Sequence, residues 1–154
     1  SFERYVYGSA EVVGLMCLRA FLLGEPVRDL PRLETGARAL GAAFQKVNFL
    51  RDLSADFETL CRSYFPGVDV TTFTEEEKLR LLDDIDADLA VSAATVPELP
   101  ASSRRAVALA QSLFTELSVR LRKTPASELV RTRVRVPNPV KARLALAASM
   151  GRTP

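Results

Sequence analysis

The sequence of 154 residues contains no histidine, no tryptophan and only two cysteines. Without histidine, the chain lacks the commonest general base and the imidazole ligands of metal sites. Cys17 and Cys61 have no metal-binding spacing, so we interpret both as reduced thiols of a cytosolic protein. Chemistry on this chain therefore has to rely on metals, carboxylates, tyrosines and electrostatics.

The sequence also lacks an apolar run long enough to span a membrane, and it lacks a strong charge imbalance. Its net charge is +2, with 47% apolar and 26% charged residues. These values are ordinary for a globular protein and favour no particular partner. The length suffices for one domain with a buried core. We therefore expect a cytoplasmic protein.

Apolar residues recur with helical periodicity in five segments, which predicts an all-α fold. The predicted helices span residues 5–23, 33–60, 74–94, 102–123 and 140–150. Thr74 and Glu77 match a capping box at the start of the third helix. Residues 131–137 alternate basic and apolar side chains, but Pro137 and Pro139 favour an extended linker there.

The second predicted helix carries polar side chains at spacings of three, four and four residues. Gln45, Asn48, Asp52 and Asp56 fall within a stripe about 80° wide on a helix with 3.6 residues per turn. Apolar residues form the opposite stripe, namely Leu40, Ala43, Phe44, Val47 and Leu50. A helix that is apolar nearly all round is usually buried. Buried carboxylates need partners, and a divalent metal is the obvious one.

A second acidic cluster lies in the third predicted helix, where Asp84 and Asp88 also stand four residues apart. Leu82, Ile85 and Leu89 form the inner stripe of that helix, so we expect the two aspartates on a solvated acidic face.

Three segments resemble motifs of the squalene/phytoene synthase family. That family has Gln, then Asn-x-x-Arg-Asp, then Asp four residues later, which Gln45, Asn48, Arg51, Asp52 and Asp56 match. Upstream, residues 5–14 resemble the family pattern Tyr-x-Tyr-x-x-Ala-Gly-x-Val-Gly. Downstream, residues 62–66 resemble Gly-Arg-x-Tyr-Leu-Pro. The segments stand in the family's order and close to its spacing.

The resemblance implies an isoprenoid-synthase-type helical bundle. Because residue 5 already falls in a family motif, residues 1–154 are expected to be the C-terminal part of a single all-α domain. The N-terminal part, with the first aspartate-rich motif, is not in this sequence. Only one of two metal-binding helices would then be present, so we expect the isolated chain to be inactive.

The implied activity is that of a prenyltransferase closest to bacterial phytoene synthase. It joins two geranylgeranyl diphosphates head to head in carotenoid biosynthesis, with Mg²⁺, or Mn²⁺ as the alternative, and without NADPH. The resemblance assigns the metal and catalytic roles to Asp52 and Asp56, and further catalytic roles to Tyr5 and Tyr7. It assigns prenyl diphosphate binding to five other residues, namely Gln45, Asn48, Arg51, Arg62 and Tyr64.

Departures from the family pattern leave alternatives open. Glu11 stands where Gly is common, Ser54–Ala55 replace Gly-Glu, and Cys61 replaces the Gly before Arg62. The alternatives are a squalene-type synthase using farnesyl diphosphate and a non-catalytic relative acting in protein assembly.

The composition of the C-terminal stretch after Glu128 indicates whether the protein binds nucleic acid or membranes. The stretch is basic but has no aromatic residue for base stacking, so no nucleic acid is expected. A solvated basic surface is the default, and peripheral membrane association is the alternative. The oligomeric state is open.

Overall fold

The computed structural model describes residues 4–5, 7–53 and 73–151, with the side chain of Tyr7 left out. Three predicted site residues, Asp56, Arg62 and Tyr64, lie outside the described residues, as does Cys61. The described cysteine, Cys17, is an exposed free thiol.

The described ranges form helices and connecting segments without a strand, which confirms the predicted all-α class. The helices are α1 Val12–Phe21, α2 Leu30–Asp52, α3 Glu75–Ala93, α4 Ala101–Lys123, α5 Ala126–Leu129 and α6 Asn138–Ser149. A π-helical turn, Tyr7–Glu11, leads into α1, and a 3₁₀ turn, Val96–Glu98, precedes α4. No helix within these ranges is both long and apolar enough to cross a membrane.

Local capping explains where α2 and α3 begin. The carboxylate of Asp29 accepts a hydrogen bond from the backbone N–H of Arg32, and Pro31 occupies the first turn of α2. This cap starts α2 three residues before the predicted position. At α3, the Thr74 hydroxyl and the Glu77 carboxylate cap each other's backbone N–H groups, which confirms the predicted capping box.

The main core lies where α2, α3 and α4 pack together. Leu50 of α2, Leu82 and Ile85 of α3, and Leu121 of α4 are completely buried in one apolar cluster. Burying each such side chain contributes about 1.5–3 kcal/mol. The apolar side of α2 is thereby fixed, which sets the direction in which its polar stripe points.

The N-terminal segment comprises the described residues 4–5 and 7–21, including the π-helical turn and α1. Its backbone lies directly against α2. A Cβ on Gly14 would stand 2.4 Å from the carbonyl oxygen of Ala37, and one on Gly41 would stand 2.4 Å from that of Ala10. Side chains at these two glycines would force the segments apart. The absence of a Cβ therefore brings the π-helical turn alongside the middle of α2.

Lys46 joins α2 to α3 by ion pairs that correct the expectation for the second acidic cluster. Its ammonium group donates to Asp84 and, at 2.8 Å, to Asp88, and its side chain is only 13% exposed. Burial by itself would lower the pKa of Lys46, but the two carboxylates raise it above its ordinary value. Asp84 is exposed as expected, whereas Asp88 is half-buried against α2.

Candidate functional site

The polar stripe of α2 lies in the last two turns of that helix. Gln45, Asn48 and Asp52 share one face, and all three are half-buried. The side-chain amide of Gln45 donates to the hydroxyl of Tyr5 at 3.1 Å. The structure thus joins two of the predicted site residues that are far apart in sequence. Tyr7 contributes to the adjoining π-helical turn through its backbone.

Two guanidinium groups bind the carboxylate of Asp52. Arg51 donates from Nε to Oδ1 at 3.1 Å and from Nη2 to Oδ2 at 2.8 Å. Nε of Arg133 lies 2.9 Å from Oδ1. The hydrogen bonds from Arg51, followed by the charges of Arg51 and Arg133, hold the pKa of Asp52 below its ordinary value despite partial burial. Asp52 is therefore ionised at neutral pH.

Arg133 reaches Asp52 from the extended segment between α5 and α6. Of residues 131–137, which were predicted to form an extended linker, 131–132 form a turn and 133–137 form no helix and no strand. Val136 of this segment is buried and Val134 packs against the main core. Arg133 and Arg135, which alternate with the two valines along the chain, are exposed. The sequence shows the alternation of basic and apolar residues, but we expected the basic residues to form a solvated surface. The contact between Arg133 and Asp52 was not predicted.

A basic cavity with a volume of about 810 Å³ lies beside this ion pair. Its cationic lining comes from four residues, namely Arg51, Arg133, Arg135 and Lys141. No acidic residue lines the cavity within the described part of the chain. Arg51 and Arg133 are paired with Asp52, and apolar side chains form most of the remaining lining. The four cationic groups, three of them with forked guanidinium donors, suit a phosphate or diphosphate. Of the four residues, only Arg51 was predicted as a site residue.

An apolar cavity with a volume of about 410 Å³ lies between the N-terminal segment, α2 and α4. It follows α2 from Leu33 to Gln45, a length of about 18 Å at 1.5 Å per residue. Gln45 is at one end of that run, next to the polar stripe. A concave apolar site with a polar group at one end is typical of a pocket for a small molecule with a hydrocarbon part.

The described residues do not by themselves complete a metal site. Among them, no group of three or more acidic, cysteine or histidine side chains is placed so that it could hold a metal ion. Asp52 is the one carboxylate of the polar stripe that the structure describes. Magnesium ions are usually held by one or two carboxylates, with substrate phosphates and water completing the octahedron. An ionised, half-buried aspartate beside a cavity suited to phosphate fits that arrangement. A metal would compete with guanidinium N–H groups for the oxygens of Asp52.

The family model for squalene/phytoene synthase matches residues 1–139. The chain belongs to the squalene/phytoene synthase family. Its helical fold is the isoprenoid-synthase fold of that family, and membership supports a prenyltransferase that condenses prenyl groups head to head. No curated protein matches the sequence. The predicted site residues whose side chains the structure describes lie on the N-terminal segment or the second half of α2, namely Tyr5, Gln45, Asn48, Arg51 and Asp52.

Proposed function

We propose that the protein carrying this chain is a phytoene synthase that joins two geranylgeranyl diphosphates head to head. The observation that supports this proposal is the adjacency of the two cavities along α2. The basic cavity suits a diphosphate and the apolar cavity suits a prenyl chain. The helix that lines both cavities also carries Asp52, which belongs to the motif that resembles the family's metal-binding pattern.

In this proposal, the cationic side chains around Asp52 hold the leaving diphosphate. Arg51 and Arg133 bind its oxygens through their forked N–H groups, and Arg135 and Lys141 add positive charge. Gln45 and Asn48 orient the diphosphate from the adjoining face of α2. Asp52, together with Asp56, would hold Mg²⁺ or Mn²⁺, which when bound neutralises charge on the leaving group. Arg62 and Tyr64 would complete this binding.

The apolar cavity then takes the prenyl chain and protects the allylic cation from water. Tyr5, held by Gln45, would stabilise that cation through the face of its ring, and Tyr7 is proposed for the same task. Loss of a proton completes the reaction, so NADPH is not required.

The choice of substrate is part of the proposal. Residues 11–18 resemble bacterial phytoene synthases, which favours geranylgeranyl diphosphate over farnesyl diphosphate. The ionised Asp52, with Gln45 and Asn48 beside it, favours an enzyme over a non-catalytic relative.

A product assay on the full-length protein tests the proposal. The protein is incubated with geranylgeranyl or farnesyl diphosphate and Mg²⁺, with and without NADPH. We expect an unreduced forty-carbon product without NADPH. A thirty-carbon product would instead assign a squalene-type synthase, and no product from folded protein would favour the non-catalytic relative. The isolated 154 residues serve as the control that is expected to be inactive.

We also propose that the protein is cytoplasmic and associates peripherally with membranes. Leu146 on α6 and Met150 directly after α6 are about 60% exposed, and Lys141 and Arg143 are exposed on the same short helix. Apolar and basic side chains together suit an anionic lipid surface. Sedimentation with phosphatidylglycerol vesicles, but not with phosphatidylcholine vesicles, is the expected result. Equal recovery in both pellets would contradict it.

A further inference from the structure

Phe44 lies at the boundary between the two cavities. Its side chain lines both the apolar cavity and the basic cavity, a property it shares with Ala110 on α4. Phe44 as a residue is 47% exposed, although the sequence places it on the apolar side of α2. By contrast, Ala43 and Val47 beside it are completely buried. Phe44 is therefore not a core residue, and its exposed ring faces open space on both sides of the boundary.

Phe114 of α4 contacts the ring of Phe44. The two ring centroids are 4.6 Å apart and the ring planes meet at 61°, an edge-to-face arrangement. Phe114 is 9% exposed and belongs to the main core. Because edge-to-face pairs are favourable and Phe114 is buried in the core, this contact stabilises the ring of Phe44 at the boundary.

Phe44 is also close in sequence to the residues proposed to bind the diphosphate. It precedes Asn48 by one helical turn and Asp52 by two, and Gln45 follows it directly. A prenyl diphosphate with its charged end in the basic cavity and its chain in the apolar cavity has to pass Phe44. The allylic carbon joins these two parts, so it would lie near the ring.

The position of the ring has a chemical consequence, which rests on the proposed function. When the allylic C–O bond breaks, its electron pair leaves with the diphosphate and an allylic cation remains. Capture of that cation by water, with release of a proton, gives a prenyl alcohol instead of the coupled product. We propose that Phe44 is a specificity-determining residue that separates the allylic carbon from water in the basic cavity and thereby sets the ratio of coupling to hydrolysis.

The test measures that ratio in the full-length protein with radiolabelled geranylgeranyl diphosphate and Mg²⁺. Phe44→Ala is expected to raise the ratio of prenyl alcohol to forty-carbon product by about tenfold, the change expected from 1.4 kcal/mol. Phe44→Leu keeps an apolar side chain of similar bulk and is expected to give a smaller rise. Phe73→Leu is the matched control, because Phe73 is half-buried beside the main core and lines neither cavity.

The outcomes separate this inference from the proposed function. An unchanged ratio in both Phe44 variants, with normal turnover, would overturn the inference and leave the proposed function standing. An equal rise in Phe73→Leu would also overturn it, because general loosening of the fold would then explain the effect. If Phe44→Ala does not unfold cooperatively, Phe44→Leu decides. If the unmodified protein makes neither product nor alcohol, the proposed function fails and the inference fails with it.

Discussion

Arg133 and Asp52 form an ion pair between the segment that precedes α6 and the end of α2, with Nε 2.9 Å from Oδ1. Asp52 is 27% exposed and Arg133 is 44% exposed, so the pair lies at the edge of the protein interior. It connects a residue of the aspartate-containing motif to the basic cavity. The pair therefore places Arg133 beside the candidate site, which the motif by itself did not do.

Replacing Arg133 with Gln is expected to weaken diphosphate binding. A hydrogen bond to a charged group contributes about 1.5–3 kcal/mol, which corresponds to at least a tenfold loss of affinity. Isothermal titration of the full-length protein with inorganic diphosphate and Mg²⁺ measures the change. Arg143→Gln is the control, because Arg143 is exposed on α6 and does not line the basic cavity. Equal losses in the two variants would indicate a nonspecific charge effect.

Replacing Asp52 with Asn is expected to abolish turnover while leaving helicity unchanged. The amide keeps the shape of the side chain but removes the negative charge that a metal requires, and we expect a loss of at least about a hundredfold. Product formation by the full-length protein and far-ultraviolet circular dichroism measure the two quantities. Asp83→Asn, at an exposed position on α3, is expected to retain turnover. Near-normal turnover of the Asp52 variant would contradict the metal assignment.

Replacing Lys46 with Met is expected to lower the free energy of unfolding by about 1–3 kcal/mol. The half-buried carboxylate of Asp88 would lose its cation, and burial would then disfavour its charge. Urea unfolding measures the effect. Arg80→Met is the matched control, because Arg80 forms an exposed pair with Glu76 and should change stability by less than about 0.5 kcal/mol. In the double variant Lys46→Met/Asp88→Leu, most of the loss should be recovered.

Glu75 is expected to make the protein sensitive to acid. The carboxylate bonds to the buried ammonium of Lys78 and, at 2.8 Å, to the backbone N–H of Ala126, and these contacts lower the pKa of Glu75. The unfolded chain then binds a proton more readily than the folded protein. The contribution to stability is therefore complete above the ordinary glutamate pKa of about 4.3 and is lost as the pH falls through the lowered value.

The check for Glu75 is thermal unfolding of the native protein and of Glu75→Gln between pH 6 and pH 3. The difference in unfolding temperature between the two proteins should shrink as the pH falls below about 4.3. A difference that stays constant over this range would show that the charge of Glu75 does not contribute.

Local sequence signals were sufficient for most of the helices. The capping box of Thr74 and Glu77 and the periodicity of α3 depend on residues within four positions of one another, and the structure confirms both. The extended segment before α6 ends at Pro137 as expected, whereas Pro139 lies in the first turn of α6, where a proline is tolerated. The N-terminal helix is different, since the sequence predicts one α-helix whereas the structure has a π-helical turn at Tyr7–Glu11.

The site was predictable only in part. The sequence by itself determined that Gln45, Asn48 and Asp52 share one face of a helix, because their spacing matches the helical period. Only the tertiary structure decided that Arg133 binds Asp52, that Lys46 neutralises Asp88, and that Phe44 stays exposed between two cavities. Helical periodicity depends on neighbours along the chain, whereas these three relationships depend on how separate segments pack, and no local pattern encodes the distance between them.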